Sequence, residues 1–173
     1  MPISKKISDY LKKKKYKYEI IEHKTTYTAW DTARTTQKKE KKTKIDEIVK
    51  ALVLRADREH FLALVSANRR LDKKKLLRIV NARRRKAKLP AFKKIDFAKE
   101  VWMKKNIPGK VGATPPFREI LGIEIFMDSL AAKQKNLYIG SGEYEYSIKI
   151  PAKQYLKSEE LVIGAFGAKN DHV

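Results

Sequence analysis

The chain reads as one mixed α/β domain, on three grounds. Two apolar runs, "EIVKALVLRAD" and "HFLALVSAN", are separated only by the polar "DREH", which is the pattern of a β-hairpin. Segments with a helical apolar period, such as "LDKKKLLRIVNA", lie between strand-like runs. At 173 residues, 42% of them hydrophobic, the chain can bury a substantial core, and neither a linker nor an internal repeat divides it.

Each element follows from its own residues. Residues 1–17 are a basic lead-in, expected to stand as an N-terminal extension ahead of a domain spanning 18–173. Within it Ile3, Ile7, Tyr10 and Leu11 recur at helical spacing. "YKYEIIEHK" reads as a strand, "TAWDTARTTQ" as a helix beyond a turn, and "KKEKKTK" as a solvated charge run. After the hairpin, Asp72 can cap a helix that shows Leu76, Leu77 and Val80 on one face. Beyond "RRRKAK" and Pro90, Asp96 is expected to cap another, with Phe97, Ala98, Val101 and Trp102 as its apolar stripe and Pro108-Gly109 as its end. "GIEIFMDSL", "NLYIGSG" and "YEYSIKIP" read as three strands. In the last, Tyr144, Tyr146, Ile148 and Ile150 alternate with Glu145, Ser147 and Lys149, one face in and one out. Gly140 and Gly142 flank the preceding turn, a helix follows around 151–157, and an apolar "LVIGAF" closes the chain.

Composition narrows the function. There is no cysteine, which excludes disulfides, thiol catalysis and thiolate metal sites. His23, His60 and His172 are too dispersed for a local metal motif, so neither metal nor other cofactor is expected. No apolar run reaches the ~18 residues of a membrane span. The N-terminus has lysine where a signal peptide needs its apolar stretch, so a cytoplasmic protein without membrane association is expected. Lys and Arg number 41 against 20 Asp and Glu, for a net charge of +21. Such an excess speaks to association with a polyanion, nucleic acid first. High lysine also fits adaptation to heat, although that usually raises glutamate as well.

One loop stands out. "GKVGATPPF", residues 109–117, sets two glycines and two adjacent prolines between a basic helical pattern and an apolar run. Gly lets another molecule approach the main chain closely, and Pro115 and Pro116 fix φ without offering an N–H. Such a segment presents its remaining amides to a ligand, or it is simply a sharp turn.

Several fragments in order resemble the YbaK/ProX family of aminoacyl-tRNA deacylases, which also occurs as the editing insertion of bacterial prolyl-tRNA synthetases. They are "EHKTTYTAWDTA", "IVKALVLRAD" with its Lys50, "LALVSANRRLDKKKL", Gly112-Ala113-Thr114-Pro115-Pro116 as a Gly-x-x-x-Pro signature, "IEIFMDSL" and "NLYIGSGEYEYSIKI". The match covers roughly residues 18–165. Asn68 stands where many relatives have Asp, Arg118 follows "PPF" where Gly is common, and "ARRRKAKLPAFKKI" is longer and more basic than usual. The resemblance implies a mixed, largely antiparallel curved sheet surrounded by helices. It also implies hydrolysis of an aminoacyl ester on tRNA, with the ribose 2′-hydroxyl assisting the water.

The residues permit that chemistry. The ester is already reactive, so positioning and oxyanion stabilisation suffice. Amides around Gly112, Ala113 and Thr114 would face the carbonyl or the water while Pro115 and Pro116 stiffen the loop. The resemblance has Lys50 grip the terminal phosphate or ribose; its residues alone favour a lysine extending from a strand edge to solvent. His23 is a proton shuttle or a hydrogen-bonded structural histidine. Tyr27 and Thr28 would wall the amino-acid pocket or serve core and cap. Ser66 and Asn68 follow a strand and border the pocket or form a turn. Asp128, Ser141 and Gly142 are candidate rim positions. The expected partners are the tRNA acceptor end, bound at phosphates by "KKKKYK", "KKEKKTK" and "RRRKAK", and an aminoacyl-tRNA synthetase. The rival is a module that keeps the fold and binds RNA or a synthetase without hydrolysis.

Overall fold

A computed structural model describes residues 2–24 and 43–169. The expected helix "TAWDTARTTQ", Tyr27, Thr28 and His172 lie outside the described residues.

The hairpin forms as expected. Strands β2 (Val49–Ala56) and β3 (Glu59–Ser66) pair antiparallel around a turn in which Asp57 is left-handed, φ 53°, a conformation Asp tolerates. They belong to a five-stranded sheet that also holds β5 (Asp96–Phe97), β6 (Glu124–Asp128) and β9 (Leu161–Gly164), in the order β5-β2-β3-β6-β9. Its β2 side is antiparallel, whereas β3, β6 and β9 run parallel. Both faces are covered. Val53, Leu62, Leu64, Ile125 and Met127 enter one core, while Leu54, Phe61, Ala63, Val65 and Phe126 enter a second beneath helix α2 (Lys73–Lys86). Double coverage is why these strands read as continuous apolar runs and not as alternating ones.

A second sheet is antiparallel, with β1 (Glu19–Glu22), β8 (Tyr146–Pro151) and β7 (Asn136–Gly140) in the order β1-β8-β7. A bridge between Ile48 and Tyr138 joins β7 to the start of β2. A third pairs β10 (Gly167–Lys169) with β4 (Arg69–Leu71). The expected mixed α/β architecture is present, with its strands divided among these sheets and helices flanking them.

Helix α1 (Lys5–Lys13) starts where Ser4 Oγ accepts from Ile7 N at 3.3 Å. It is no detached extension in its packing, because Ile3, Ile7, Tyr10, Leu11 and Tyr16 are buried in the first core. Tyr10 Oη and Tyr16 Oη donate to the buried carboxylate of Glu159 at 2.8 and 2.6 Å, and Arg118 N donates to it at 3.1 Å. Burial, together with that carboxylate, pushes both phenol pKa values upward. Asp72 caps α2 through Lys75 N, at 3.1 Å.

Two expectations fail locally. Asp96 caps no helix, because Asp96–Phe97 pairs with Arg55 and Leu54 as the edge strand β5, and the helix that follows, α3, spans only Glu100–Asn106. Tyr144 precedes strand β8, and Ser147, expected to face out, is buried. Short helices α4 (Arg118–Leu121), α5 (Ser129–Ala132) and α6 (Ala152–Ser158) complete the described elements.

Candidate functional site

A narrow cleft, with a cavity volume of about 40 Å³, opens where the start of β2, the end of β7, the turn into β8 and the 109–117 loop converge. Of the residues singled out in the sequence, His23, Lys50, Gly112, Ala113 and Thr114 line it.

Lys50 reaches this place because β2 begins at the cleft, its backbone held opposite Val65. The side chain is half-buried, and among the described residues it makes no hydrogen bond or ion pair. Burial pushes its pKa below the ordinary lysine value. An ammonium that has lost part of its hydration without gaining a counter-ion is set to receive an anion.

The loop is held by backbone geometry. Gly112 is left-handed, φ 92°, which a side chain would strain. Ala113 N donates to Lys110 O at 2.9 Å, Gly142 N to Ala113 O at 2.7 Å, and Lys110 N to Gly142 O at 2.9 Å. Phe117 N donates to Pro115 O at 2.9 Å, so the Ala113 and Phe117 amides are spent. Gly112 and Thr114 keep N–H groups with no acceptor among the described residues. The loop lies so close to β7 that a Cβ on Gly140 would sit 2.3 Å from Thr114 O. Tyr144 Oη donates to Val111 O at 2.7 Å, and Lys110 pairs with Glu143 at 2.7 Å, fastening the loop to the β7–β8 turn.

His23 is fixed by both ring nitrogens. Nδ1 lies 2.9 Å from Lys24 O, an acceptor only, so it carries the proton; in the neutral ring Nε2 then accepts from Ser147 Oγ at 2.9 Å. The histidine thereby covers the hydroxyl that burial had withdrawn from solvent.

The other named residues have structural partners elsewhere. Ser66 Oγ donates to Asp46 O at 2.7 Å and Asn68 Nδ2 to Asp46 Oδ1 at 2.8 Å, pinning the 3₁₀ turn Ile45–Glu47. Asp128 accepts from Phe166 N and Gly167 N, each at 2.8 Å, and so ties β10 to the end of β6. Ser141 Oγ donates to Tyr146 O at 2.6 Å inside the β7–β8 turn. Gly142 closes that turn against Gly109, where a Cβ on Gly109 would lie 2.6 Å from Gly142 Cα. Pro115 and Pro116 are buried, and Pro116 O accepts from Tyr155 Oη at 2.6 Å. None of these seven lines the cleft.

Residues not foreseen do: Tyr138, Gly140, Glu143, Tyr144 and Tyr146 among them. The signal in the sequence is the density of tyrosines flanking a Gly-x-Gly turn. Among the described residues no three His, Asp or Glu side chains gather as metal ligands would.

A family model described as the aminoacyl-tRNA editing domain matches residues 23–158. Among solved structures, that of hypothetical protein APE2540 is similar over 94% of this chain and 99% of its own, with a TM-score of 0.74 and 16% identity. A candidate trans-editing enzyme for prolyl-tRNA synthetase is similar over 95% of this chain and 94% of its own, with a TM-score of 0.70 and 18% identity. A computationally designed scaffold for presenting linear epitopes gives a TM-score of 0.73 at 17% identity, over 95% of this chain and 94% of its own. At these identities the likeness shows a shared fold. Among curated proteins, no sequence relative is found.

Proposed function

Because the chain belongs to the aminoacyl-tRNA editing domain family, we propose that it is a trans-editing hydrolase that removes the amino acid from mischarged tRNA. The observation that carries this reading is the half-buried, unpaired ammonium of Lys50 facing the same cleft as the left-handed Gly112 loop. In the proposed reaction Lys50 holds the phosphate or ribose of the acceptor end. The Gly112 and Thr114 N–H groups face the ester carbonyl or the incoming water. Water adds to the carbonyl carbon, the ribose 2′-hydroxyl assists, and the ester C–O bond breaks to leave free amino acid and tRNA. His23 walls the pocket and, through its Ser147 partner, keeps that wall rigid.

The tRNA proposed is tRNA-Pro carrying Ala, Cys or Ser. This is in keeping with the family resemblance and with the prolyl-tRNA synthetase trans-editing role ascribed to one of the similar structures. A synthetase is a proposed partner. The basic runs and the net charge of +21 supply affinity for phosphates without base readout.

The test is to incubate the protein with Ala-, Cys-, Ser- and Pro-charged tRNAs and follow loss of the ester. Selective release that disappears in Lys50→Ala and in a folded Gly112→Val supports the hydrolase. Retained RNA binding without release from any charged tRNA supports the non-catalytic module instead.

A further inference from the structure

The segment between Ala82 and Asn106 carries ten Lys and Arg against two Asp and Glu. Four of those cations are paired: Arg83 with Glu124, Arg84 with Glu59, Lys94 with Asp96 and Lys104 with Glu100. The other six, Arg85, Lys86, Lys88, Lys93, Lys99 and Lys105, are exposed and lack an acidic partner among the described residues. The same segment holds three of the large apolar side chains most exposed to solvent: Leu89 at 50%, Phe97 at 52% and Val101 at 81%. An apolar stripe at helical spacing should have entered a core. Here Phe97 is instead fixed in β5, at the free edge of the five-stranded sheet, and Val101, in the first turn of α3, is exposed.

The apolar groups sit among cations and flat rings. Lys73 Nζ lies 4.5 Å from the centre of the Phe97 ring. Trp102 stacks on His60 with centroids 3.4 Å apart and planes at 4°. Lys105 follows Val101 by one helical turn, and Lys99 lies between β5 and α3. Trp102 is half-buried against the first core, but the exposed Phe97 ring, with unpaired cations along the same sheet edge, matches what a single-stranded nucleic acid asks of a protein. A second copy of a chain charged +21 would meet repulsion here, and the seven-residue α3 is short for lying in a membrane interface.

We infer that the β5–α3 edge, with Phe97, Val101, Lys73, Lys99 and Lys105, is an RNA-docking platform that carries the unpaired 3′ end of the RNA leading into the cleft. The strand register places it within reach. Phe97 pairs with Leu54, four residues along β2 from Lys50, or roughly 13 Å at the rise of an extended strand. This assignment takes the proposed tRNA substrate as its premise, but it concerns binding and is tested by binding.

The measurement is the affinity of the full chain for uncharged tRNA at several salt concentrations, with thermal unfolding as the check on folding. Phe97→Ala removes one stacking face and is expected to weaken binding about tenfold. Lys99→Gln with Lys105→Gln is expected to flatten the salt dependence by about 1.4–1.8 in log–log slope. Both lysines are exposed, so this pair tests the platform even if Phe97→Ala misfolds. The same two-charge loss on α1, Lys5→Gln with Lys6→Gln, is the reference for charge alone. Affinity within twofold of wild type in both platform variants overturns the inference. So does an equal loss in the α1 pair, or a loss seen on phosphatidylserine vesicles but not on tRNA. If the platform variants lose tRNA while the wild-type chain releases no amino acid from any charged tRNA, the docking surface stands and the hydrolase reading falls.

Discussion

Replacing Gly140 by alanine tests whether the 109–117 loop must lie hard against β7. The added Cβ would stand 2.3 Å from Thr114 O and 2.8 Å from Ala113 O, both backbone atoms that cannot swing aside. Restoring ordinary contact needs a withdrawal of roughly 1 Å by the loop. That movement would stretch the 2.7 Å bond from Gly142 N to Ala113 O and shift Gly112 and Thr114, which line the cleft. Overpacking of this kind costs about 1–3 kcal/mol, set against a gain of at most ~1 kcal/mol from a less flexible unfolded chain. A net loss of ~1–2 kcal/mol lowers the unfolding midpoint of a chain this size by about 2–8 °C. The catalytic loss is larger, since a 1 Å misplacement can cost on the order of a hundredfold in rate. The assay is single-turnover release of amino acid from a tRNA the wild-type protein deacylates, with calorimetry in parallel. A Gly140→Ala protein that matches wild type in both turnover and midpoint would refute the argument that this loop is set by backbone contact.

Four further outcomes are expected. Burial lowers the Lys50 pKa, so turnover that needs its ammonium falls as pH rises through a value below that of free lysine; Lys50→Arg, which stays charged, moves that alkaline limb upward in a pH–rate profile. Between the lowered folded value and the unfolded one the unfolded chain holds more protons, so stability rises with pH in that window, and Lys50→Met removes the rise in a pH series of unfolding midpoints. Asp128→Ala leaves the Phe166 and Gly167 amides without their acceptor and lowers the midpoint by roughly 10 °C, while deacylation per folded molecule is retained. A chain limited to residues 18–173 loses Ile7, Tyr10, Leu11 and Tyr16 from the core and strips Glu159 of two hydroxyl donors, so calorimetry should show no cooperative transition.

The strands were legible where burial on both faces wrote continuous apolar runs, as in β2, β3 and β6. Helix α2 was legible because Asp72 and the Leu76–Val80 face announce it together. The stripe at Phe97–Trp102 misled because periodicity cannot see that Leu54 and Arg55 offer a free strand edge, which draws Asp96 and Phe97 into a sheet and leaves room for only a short helix. The N-terminal segment reads as an extension because lysines outnumber its apolar residues. Five apolar or aromatic side chains nevertheless suffice to anchor it in the first core.

Within the site, Lys50 and Gly112 were readable because each is anomalous in its own neighbourhood: a charge in an apolar strand, and a glycine ahead of paired prolines. Ser66, Asn68, Asp128 and Ser141 are polar residues at strand ends, and strand ends are where backbone groups most need partners. Ser66, Asp128 and Ser141 satisfy such groups, at Asp46, at Phe166 and Gly167, and at Tyr146, while Asn68 holds the Asp46 carboxylate; sequence alone does not tell these duties from facing a ligand. The cleft itself is assembled from contacts distant in sequence, such as Tyr144 on Val111 and Gly140 on Thr114. In the proposed reaction the ester is already activated, and the protein supplies two amides and one ammonium held in place. The cost of that economy is borne by the β7–β8 turn, whose Glu143 and Tyr144 line the cleft while tying the loop down. Changes there should therefore alter rate before they alter fold.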